Sequence, residues 1–306
     1  MTKKIAVVFP GQGSQSVGML NQYMPHYSAS ISQTFSMASD ILNFDLLKLI
    51  TDGPAEKLNQ TEITQPALLV SSVALWKIWQ EKSAFQPVVL AGHSLGEYSA
   101  LVCAGVINFE DAVKCVSSRG KFMQEAVPEG KGAMAAIIGL TPEIINTLCE
   151  TAAQGESVSA ANINAPGQIV IAGETHAVDR AMVAAKEAGA KLIKKLDVSV
   201  PSHCALMRSA ADKLKIMLEK IAFQAPHIPV IQNTTAAVTN NITDIKQALF
   251  QQLYSPVRWV ESVECMVRDF APEIIVECGP GKVLAGLNKR IVNTTPTISI
   301  EENLHV

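Results

Sequence analysis

The sequence predicts an α/β fold with a mostly parallel sheet, into which a small α+β domain is inserted. Three observations carry that prediction. First, short runs at 5–9, 88–92, 228–231 and 274–277 are rich in Val and Ile and bordered by Gly or Pro. Nearly continuous apolar runs, rather than alternating ones, belong to strands buried on both faces, as in parallel sheets. Second, the stretches between them carry apolar residues at helical spacing, and strand–helix alternation is the α/β pattern. Third, the middle of the chain changes to a different order of elements.

Each element follows from its own residues. Gln65–Lys82 places Leu68, Leu75 and Ile78 on one face, after Thr64. Glu97–Ala104 and Phe109–Glu125 read as helices, and Leu206–Phe223 repeats Leu, Met and Ile at helical spacing. In the middle, Ala133–Gly139 reads as a strand, Pro142–Ala152 as a helix, and Ser157–Ile163 and Gln168–Ala172 as strands joined by a turn at Asn164-Ala-Pro-Gly167. A helix at Thr175–Ala188 and a strand at Lys191–Val198 complete a β-α-β-β-α-β order, the ferredoxin-like arrangement. The expected division is a large domain from 1–127 and 199–306 and a small one from 128–198. His26 falls in a stretch with no assigned element.

Composition narrows the function classes. The chain has 306 residues, 48% hydrophobic and 17% charged, which is too apolar for disorder. Lys and Arg total 25 against 28 Asp and Glu, a net charge of −3 that argues against general nucleic-acid binding. Two lysines and five apolar residues at the start are too short for a signal peptide, and no apolar run is long enough to span a membrane. A cytoplasmic protein with no membrane and no nucleic-acid partner is expected. The six cysteines form no C-x-x-C and lie near no paired His, so neither a disulfide nor a metal site is expected.

Gly92-His93-Ser94-Leu95-Gly96 matches G-x-S-x-G between a strand and a helix, the context of a nucleophile elbow and of a hydrolase-like large domain. The turn lifts the Ser94 hydroxyl clear of the backbone and aims the Leu95 N–H at developing negative charge. His93, adjacent to Ser94, must point away from it and supports the turn. Glu97, in the helix's first turn, serves the helix macrodipole rather than acting as a base. A serine needs a base. Of the six histidines, His203 sits in a loop before a helix, where the two domains are expected to meet. His305 lies in the tail and His176 starts a surface helix. Cys204, beside His203, ranks low as a rival nucleophile.

Two glycine loops fail as nucleotide motifs. Phe9-Pro-Gly-Gln-Gly-Ser-Gln15 has Ser16 where a third glycine belongs, and Gly279-Pro-Gly-Lys282 has Val at both 276 and 283 where a Walker loop needs Gly and Ser or Thr. The first can instead aim a backbone N–H into a site. Arg119 shares an otherwise apolar stripe with Val113, Val116 and Met123. An inward arginine must meet an anion. The stripe leaves two partners open: a structural acid, which the pattern favours, or a substrate carboxylate held by both prongs of the fork.

Together these pieces resemble the acyltransferase family of fatty acid and polyketide synthesis, the malonyl-CoA:acyl-carrier-protein transacylases. The resemblance rests on the 9–15 loop, Gly92-His-Ser-Leu-Gly-Glu-Tyr98, Arg119-Gly-Lys-Phe-Met123, Asn164-Ala-Pro166, Val200-Pro-Ser-His203, Gln252-Leu-Tyr-Ser-Pro-Val257 and Glu277-Cys-Gly-Pro-Gly281. It covers nearly the whole chain. It implies Ser94 as the acylated nucleophile and His203 as base and then acid. A backbone carbonyl at Gln252, in place of an Asp, would orient the imidazole. The backbone N–H groups of Gln12 and Leu95 would form the oxyanion hole. Arg119 would bind the malonyl carboxylate, which reverses the preference drawn from its stripe, and Asn164 would line the substrate cleft. The implied activity is ping-pong malonyl transfer from malonyl-CoA to the thiol of an acidic acyl carrier protein, with no cofactor. Lys186, Lys191, Lys194, Lys195 and Lys213 are the suggested docking face. The competing readings are an acyltransferase of a polyketide pathway, a serine esterase or thioesterase, and an inactive carrier-binding module.

Overall fold

The computed structural model describes residues 3–82, 86–197, 200–300 and 302. The expected boundary between 198 and 199, the end of the strand expected at 191–198, and His305 lie outside the described residues. In chain order the first elements are β1 (Ile5–Phe9), α1 (Met24–Leu42), α2 (Leu46–Asp52), α3 (Ala55–Leu58), α4 (Thr61–Lys82), β2 (Pro87–Gly92), α5 (Leu95–Cys103) and α6 (Phe109–Ala126). Next come β3 (Gly132–Ile138), α7 (Pro142–Ala153), β4 (Val158–Ala165), β5 (Gln168–Glu174), α8 (Thr175–Glu187) and β6 (Leu192–Lys195). A short 3-10 turn (Ala205–Met207) leads into α9 (Arg208–Lys220), β7 (Val230–Ile231), α10 (Ile242–Gln252), α11 (Trp259–Phe270), β8 (Ile274–Glu277), α12 (Val283–Ile291) and β9 (Thr297–Ser299).

The strands form two sheets. One is five-stranded in the order β7-β2-β1-β8-β9, and every pairing in it is parallel. The other is four-stranded in the order β4-β5-β3-β6, and every pairing in it is antiparallel. The fold is therefore α/β with a parallel sheet and a second, antiparallel one. Strand β1 shows why its run is continuously apolar. Ile5, Val7 and Phe9 enter one core, while Ala6 and Val8 enter another on the opposite face, as a two-residue side-chain period requires.

The antiparallel sheet also has two covered faces. Ala135, Ile137, Ile169 and Ile171 pack with residues of α7 and α8. Met134, Val170 and Ala172 pack on Cys204, directly after His203 in the chain. Strand β4 reaches further, since Ile163 N–H donates to Val257 O at 2.9 Å and Val257 N–H to Ala161 O at 2.9 Å. The expected turn at 164–167 is thus shorter than read: β4 continues through Ala165, and Gly167 takes the positive φ of +67°.

Some boundaries and elements differ from the sequence reading. Helix α4 starts one turn before Gln65, and the Thr64 hydroxyl donates to Leu58 O at 2.6 Å. His26 belongs to α1, which has Pro in its first turn. Helices α10, α11 and α12 also escaped the sequence reading. No described helix is long and apolar enough to cross a membrane, and the described residues contain no group of three potential metal ligands.

Helices α4 and α6 meet at Gly120, where an added Cβ would lie 2.6 Å from Glu62 Cα and 2.7 Å from Thr61 O. Backbone on both sides leaves nothing flexible to yield. Gly120→Ala should therefore cost about 1–3 kcal/mol through overpacking. Urea unfolding checks this, with a lower midpoint and an unchanged slope expected.

Candidate active site

The sharp turn after β2 sets the site. Ser94 is held at φ 52°, ψ −107°, between the last residue of the strand and the first turn of α5. Only glycines allow this path. A Cβ on Gly92 would stand 1.9 Å from the Gly96 carbonyl carbon, and one on Gly96 would stand 2.1 Å from Phe9 O. The conformation of Ser94 itself is one that L-residues rarely adopt, at a cost of about 1–3 kcal/mol. Surrounding bonds hold it there: His93 N–H donates to Phe9 O at 3.0 Å, and Ser94 N–H donates to Asn233 Oδ1 at 2.7 Å.

His203 reaches this serine from 109 residues away, its Nε2 lying 2.7 Å from Ser94 Oγ. On the other side, its Nδ1–H donates to the main-chain carbonyl of Gln252 at 2.7 Å. Gln252 is the last residue of α10. Carbonyls at a helix C-terminus lack intrahelical donors and carry the negative end of the dipole, so this one suits an imidazole N–H. With Nδ1 protonated, Nε2 is left bare to accept the serine proton. His203 is 3% exposed. Burial, reinforced by the charge of Arg119, pulls its imidazole down to about 3. It is neutral near pH 7.

Arg119 lies fully inside. Its Nη1 donates to Gln65 Oε1 at 2.9 Å and its Nη2 to Gln252 Oε1 at 2.8 Å, with Ser94 Oγ 3.4 Å from Nη2. The Tyr98 ring lies 5.4 Å from the guanidinium. No carboxylate among the described residues is within salt-bridge distance of it, so the structural ion pair favoured by its stripe is not there. Its Nε–H donates to no described atom. The arrangement is a buried cation beside the serine with hydrogen-bonding capacity to spare.

The remaining expected residues fall as follows. The N–H groups of Gln12 and Leu95 make no hydrogen bond within the described residues, whereas that of Ser94 is taken by Asn233. The glycine loop closes on the elbow, since a Cβ on Gly11 would lie 2.4 Å from His93 O. The Gln12 side chain is engaged with Thr61 and Gln65, each at 3.4 Å. Asn164 does not face Ser94 directly. Its Oδ1 lies 2.8 Å from His93 Nε2, and the His93 ring sits 5.5 Å from that of Trp259. His93 thus braces the elbow against β4, as a supporting residue. Cys204 is buried with its thiol pushed up to about 11 by burial, the opposite of a reactive thiolate.

Three contributors were not found from sequence. Asn233 ties the elbow from below, its Nδ2 donating to Gly92 O at 2.7 Å. Gln65 holds Arg119 from α4. Glu97 is the third: it stands in the first turn of α5, as the dipole reading requires, and is also fully buried beside the site. Its Oε2 accepts from Asn233 N–H at 3.0 Å and from Gln252 Nε2 at 2.7 Å. Burial pushes its carboxyl up to about 7, against those hydrogen bonds and the charge of Arg119. For Asn233 and Gln65, no local motif marks them; only the fold brings them in.

Parallel-sheet geometry and a serine–imidazole pair at the carboxyl ends of β1 and β2 define an acyl-transfer enzyme, and residues 6–299 match the acyl transferase domain family. The chain is 55% identical over 299 residues to the malonyl CoA-acyl carrier protein transacylase of Salmonella typhimurium, covering 98% of this chain and 96% of that one. The Escherichia coli K12 protein of the same name is 56% identical with the same coverage. An acyl carrier protein S-malonyltransferase from Vibrio cholerae superposes with TM-score 0.94 at 57% identity, covering 97% and 96% of the two chains. A malonyl-transacylase solved in complex with a type II PKS acyl-carrier protein superposes with TM-score 0.95 at 54% identity, covering 97% and 95%. The chain belongs to the malonyl CoA-acyl carrier protein transacylase family.

The protonation state of His203 is directly measurable. A base works only when neutral, and an imidazole is neutral above its own pKa. Imidazole 15N NMR should show Nε2 unprotonated from about pH 8 down to about pH 5. A titration centred at the ordinary value of 6.5 would contradict the site's electrostatics.

Proposed function

We propose that this enzyme transfers the malonyl group of malonyl-CoA to the phosphopantetheine thiol of acyl carrier protein, supplying units for fatty acid synthesis. The observation that carries this is Arg119, a buried cation with Nη2 3.4 Å from the serine oxygen and no salt bridge among the described residues. A buried guanidinium suits a carboxylate on the acyl group and has no use for a plain alkyl one.

The steps follow from the residues. Neutral His203 takes the Ser94 proton as Oγ attacks the thioester carbonyl. The oxyanion forms at the N–H groups of Gln12 and Leu95, each such donor being worth about 3–4 kcal/mol of barrier. The tetrahedral species collapses, the C–S bond breaks, and CoA leaves with the proton returned by His203. The carrier's thiol then gives its proton to His203, attacks the malonyl ester, and Ser94 is regenerated with that proton. The helix-terminal carbonyl of Gln252 holds the imidazole throughout and favours its transient charge. Malonyl-CoA is the substrate, and the scheme needs no cofactor.

The same proposal treats 1–127 with 199–306 as a hydrolase-like catalytic domain and 128–198 as a ferredoxin-like one. The strand–elbow–helix path supports the first, and the order β4-β5-β3-β6 supports the second. Asn164, joined to His93, would border the cleft between them. The location proposed is cytoplasmic. Lys195 and Lys213 are paired with Asp179 and Glu125, so attraction of an acidic carrier falls mainly on the exposed Lys186, Lys191 and Lys194.

A polyketide carrier is the second reading, favoured by the 54%-identical transacylase in complex with such a protein. Turnover with purified carriers of both kinds separates the two. A hydrolase is disfavoured because His203 is backed by a carbonyl rather than a carboxylate.

Intact mass after incubation with malonyl-CoA should show one malonyl adduct mapping to Ser94, absent in Ser94→Ala. An adduct persisting on another residue would refute the mechanism. Arg119→Ala should lower malonyl transfer about 100-fold or more, the scale of a lost charge-assisted contact, while sparing acetyl transfer. Undiminished preference for malonyl would remove Arg119 from its role.

A further inference from the structure

We infer that Glu97 is a positioning residue for malonyl selection, fixing the side-chain amide of Gln252 so that its oxygen faces Arg119 and steers the guanidinium beside Ser94. The inference rests on the malonyl-transfer reading above.

The side chain of Gln252 sits between two kinds of neighbour. On one side, its Nε2 donates to Glu97 Oε2 at 2.7 Å and to Ser94 O at 3.0 Å. On the other, its Oε1 accepts from Arg119 Nη2 at 2.8 Å. A glutamine amide has two donors on nitrogen and an acceptor on oxygen, and rotating it by half a turn exchanges them. In the rotated state the NH2 group would meet a guanidinium, donor against donor. The oxygen would meet Glu97 Oε2, already an acceptor toward Asn233 N–H, and the Ser94 carbonyl, acceptor against acceptors. Glu97, with the shorter of the two bonds to the amide nitrogen, therefore leads in setting which end of the amide Arg119 sees, with the Ser94 carbonyl in support.

Glu97 is well built for this task and poorly explained without it. It is 0% exposed, and one of its oxygens, Oε1, has no hydrogen-bond partner among the described residues. A buried carboxyl kept only for stability is better replaced by an apolar group. It forms no salt bridge with Arg119 among the described residues and does not bond Ser94 Oγ or His203; the hydrogen bond that links it to Arg119 runs through Gln252, alongside the direct attraction of the two charges. Its second bond, from Asn233 N–H at 3.0 Å, anchors the acceptor to the residue that ties down the elbow.

Three variants separate positioning from mere packing. Glu97→Gln keeps an oxygen acceptor at the same reach. Glu97→Asp keeps the carboxyl group but withdraws the acceptor by one methylene. Glu97→Met fills the space with no oxygen. The readout is the acylation half-reaction with malonyl-CoA and, separately, acetyl-CoA. Expected are near-parental kinetics for Glu97→Gln, within about threefold. In the Asp and Met variants, malonyl kcat/KM should fall about 10- to 100-fold, mostly through KM, with a clearly smaller loss in acetyl transfer. Equal loss for both acyl groups in the Asp and Met variants, including failure of both to fold, would overturn the inference. So would undiminished malonyl transfer in them, or a Glu97→Gln loss as deep as theirs. A parent enzyme with no preference for malonyl would sink the functional reading instead.

Discussion

The site depends on one backbone constraint: the chain must turn from β2 into α5 within two residues, His93 and Ser94. Gly92 and Gly96 permit it because backbone atoms occupy the space of both missing side chains. Ser94 then bears the strain, at φ 52°, and its hydroxyl stands clear of its own main chain. The helix that begins at Leu95 supplies a free N–H at its positive end. The position of the serine hydroxyl, the Leu95 N–H beside it and the approach of His203 are thus consequences of one turn.

Around that turn, a polar network replaces a carboxylate triad. The carbonyl of Gln252 orients His203, while the same residue's side chain bonds Arg119, Glu97 and the Ser94 carbonyl. One residue at a helix end therefore sets His203, Arg119 and the elbow relative to one another. Removing charge from behind the imidazole has an electrostatic consequence. Burial and the nearby guanidinium keep His203 neutral, ready to accept a proton. A carboxylate there would instead raise its proton affinity and pair with Arg119, the group left without an acid partner.

Much of the fold was legible because strands buried on both faces cannot hide their composition. The runs at 5–9 and 274–277 coincide with β1 and β8, and the β-α-β-β-α-β order is present from β3 to β6. Helices α10, α11 and α12 were not read. Their loss had a consequence: Gln252 could be placed only by family resemblance, since its value comes from ending α10. The burial of Glu97 was not legible for a related reason. First-turn acids usually face water and the dipole, and only the packing of α5 under the loop at 233 and the end of α10 turns this one inward. Arg119 was correctly read as pointing inward, but its stripe could not tell a protein acid from a substrate's.

The sequence by itself determined the local chemistry: the glycines that allow the elbow, the serine at its apex, the alternation that makes the sheet, and the buried arginine. These depend on neighbours along the chain, and short-range sterics and periodicity express them directly. Tertiary structure alone decided which groups meet. His203 comes to Ser94 across 109 residues, Gln252 across 158 and Asn233 across 139. Hydrogen bonds act over about 3 Å, so a partner chosen at such separations is fixed only when sheet order and helix packing have closed the intervening chain.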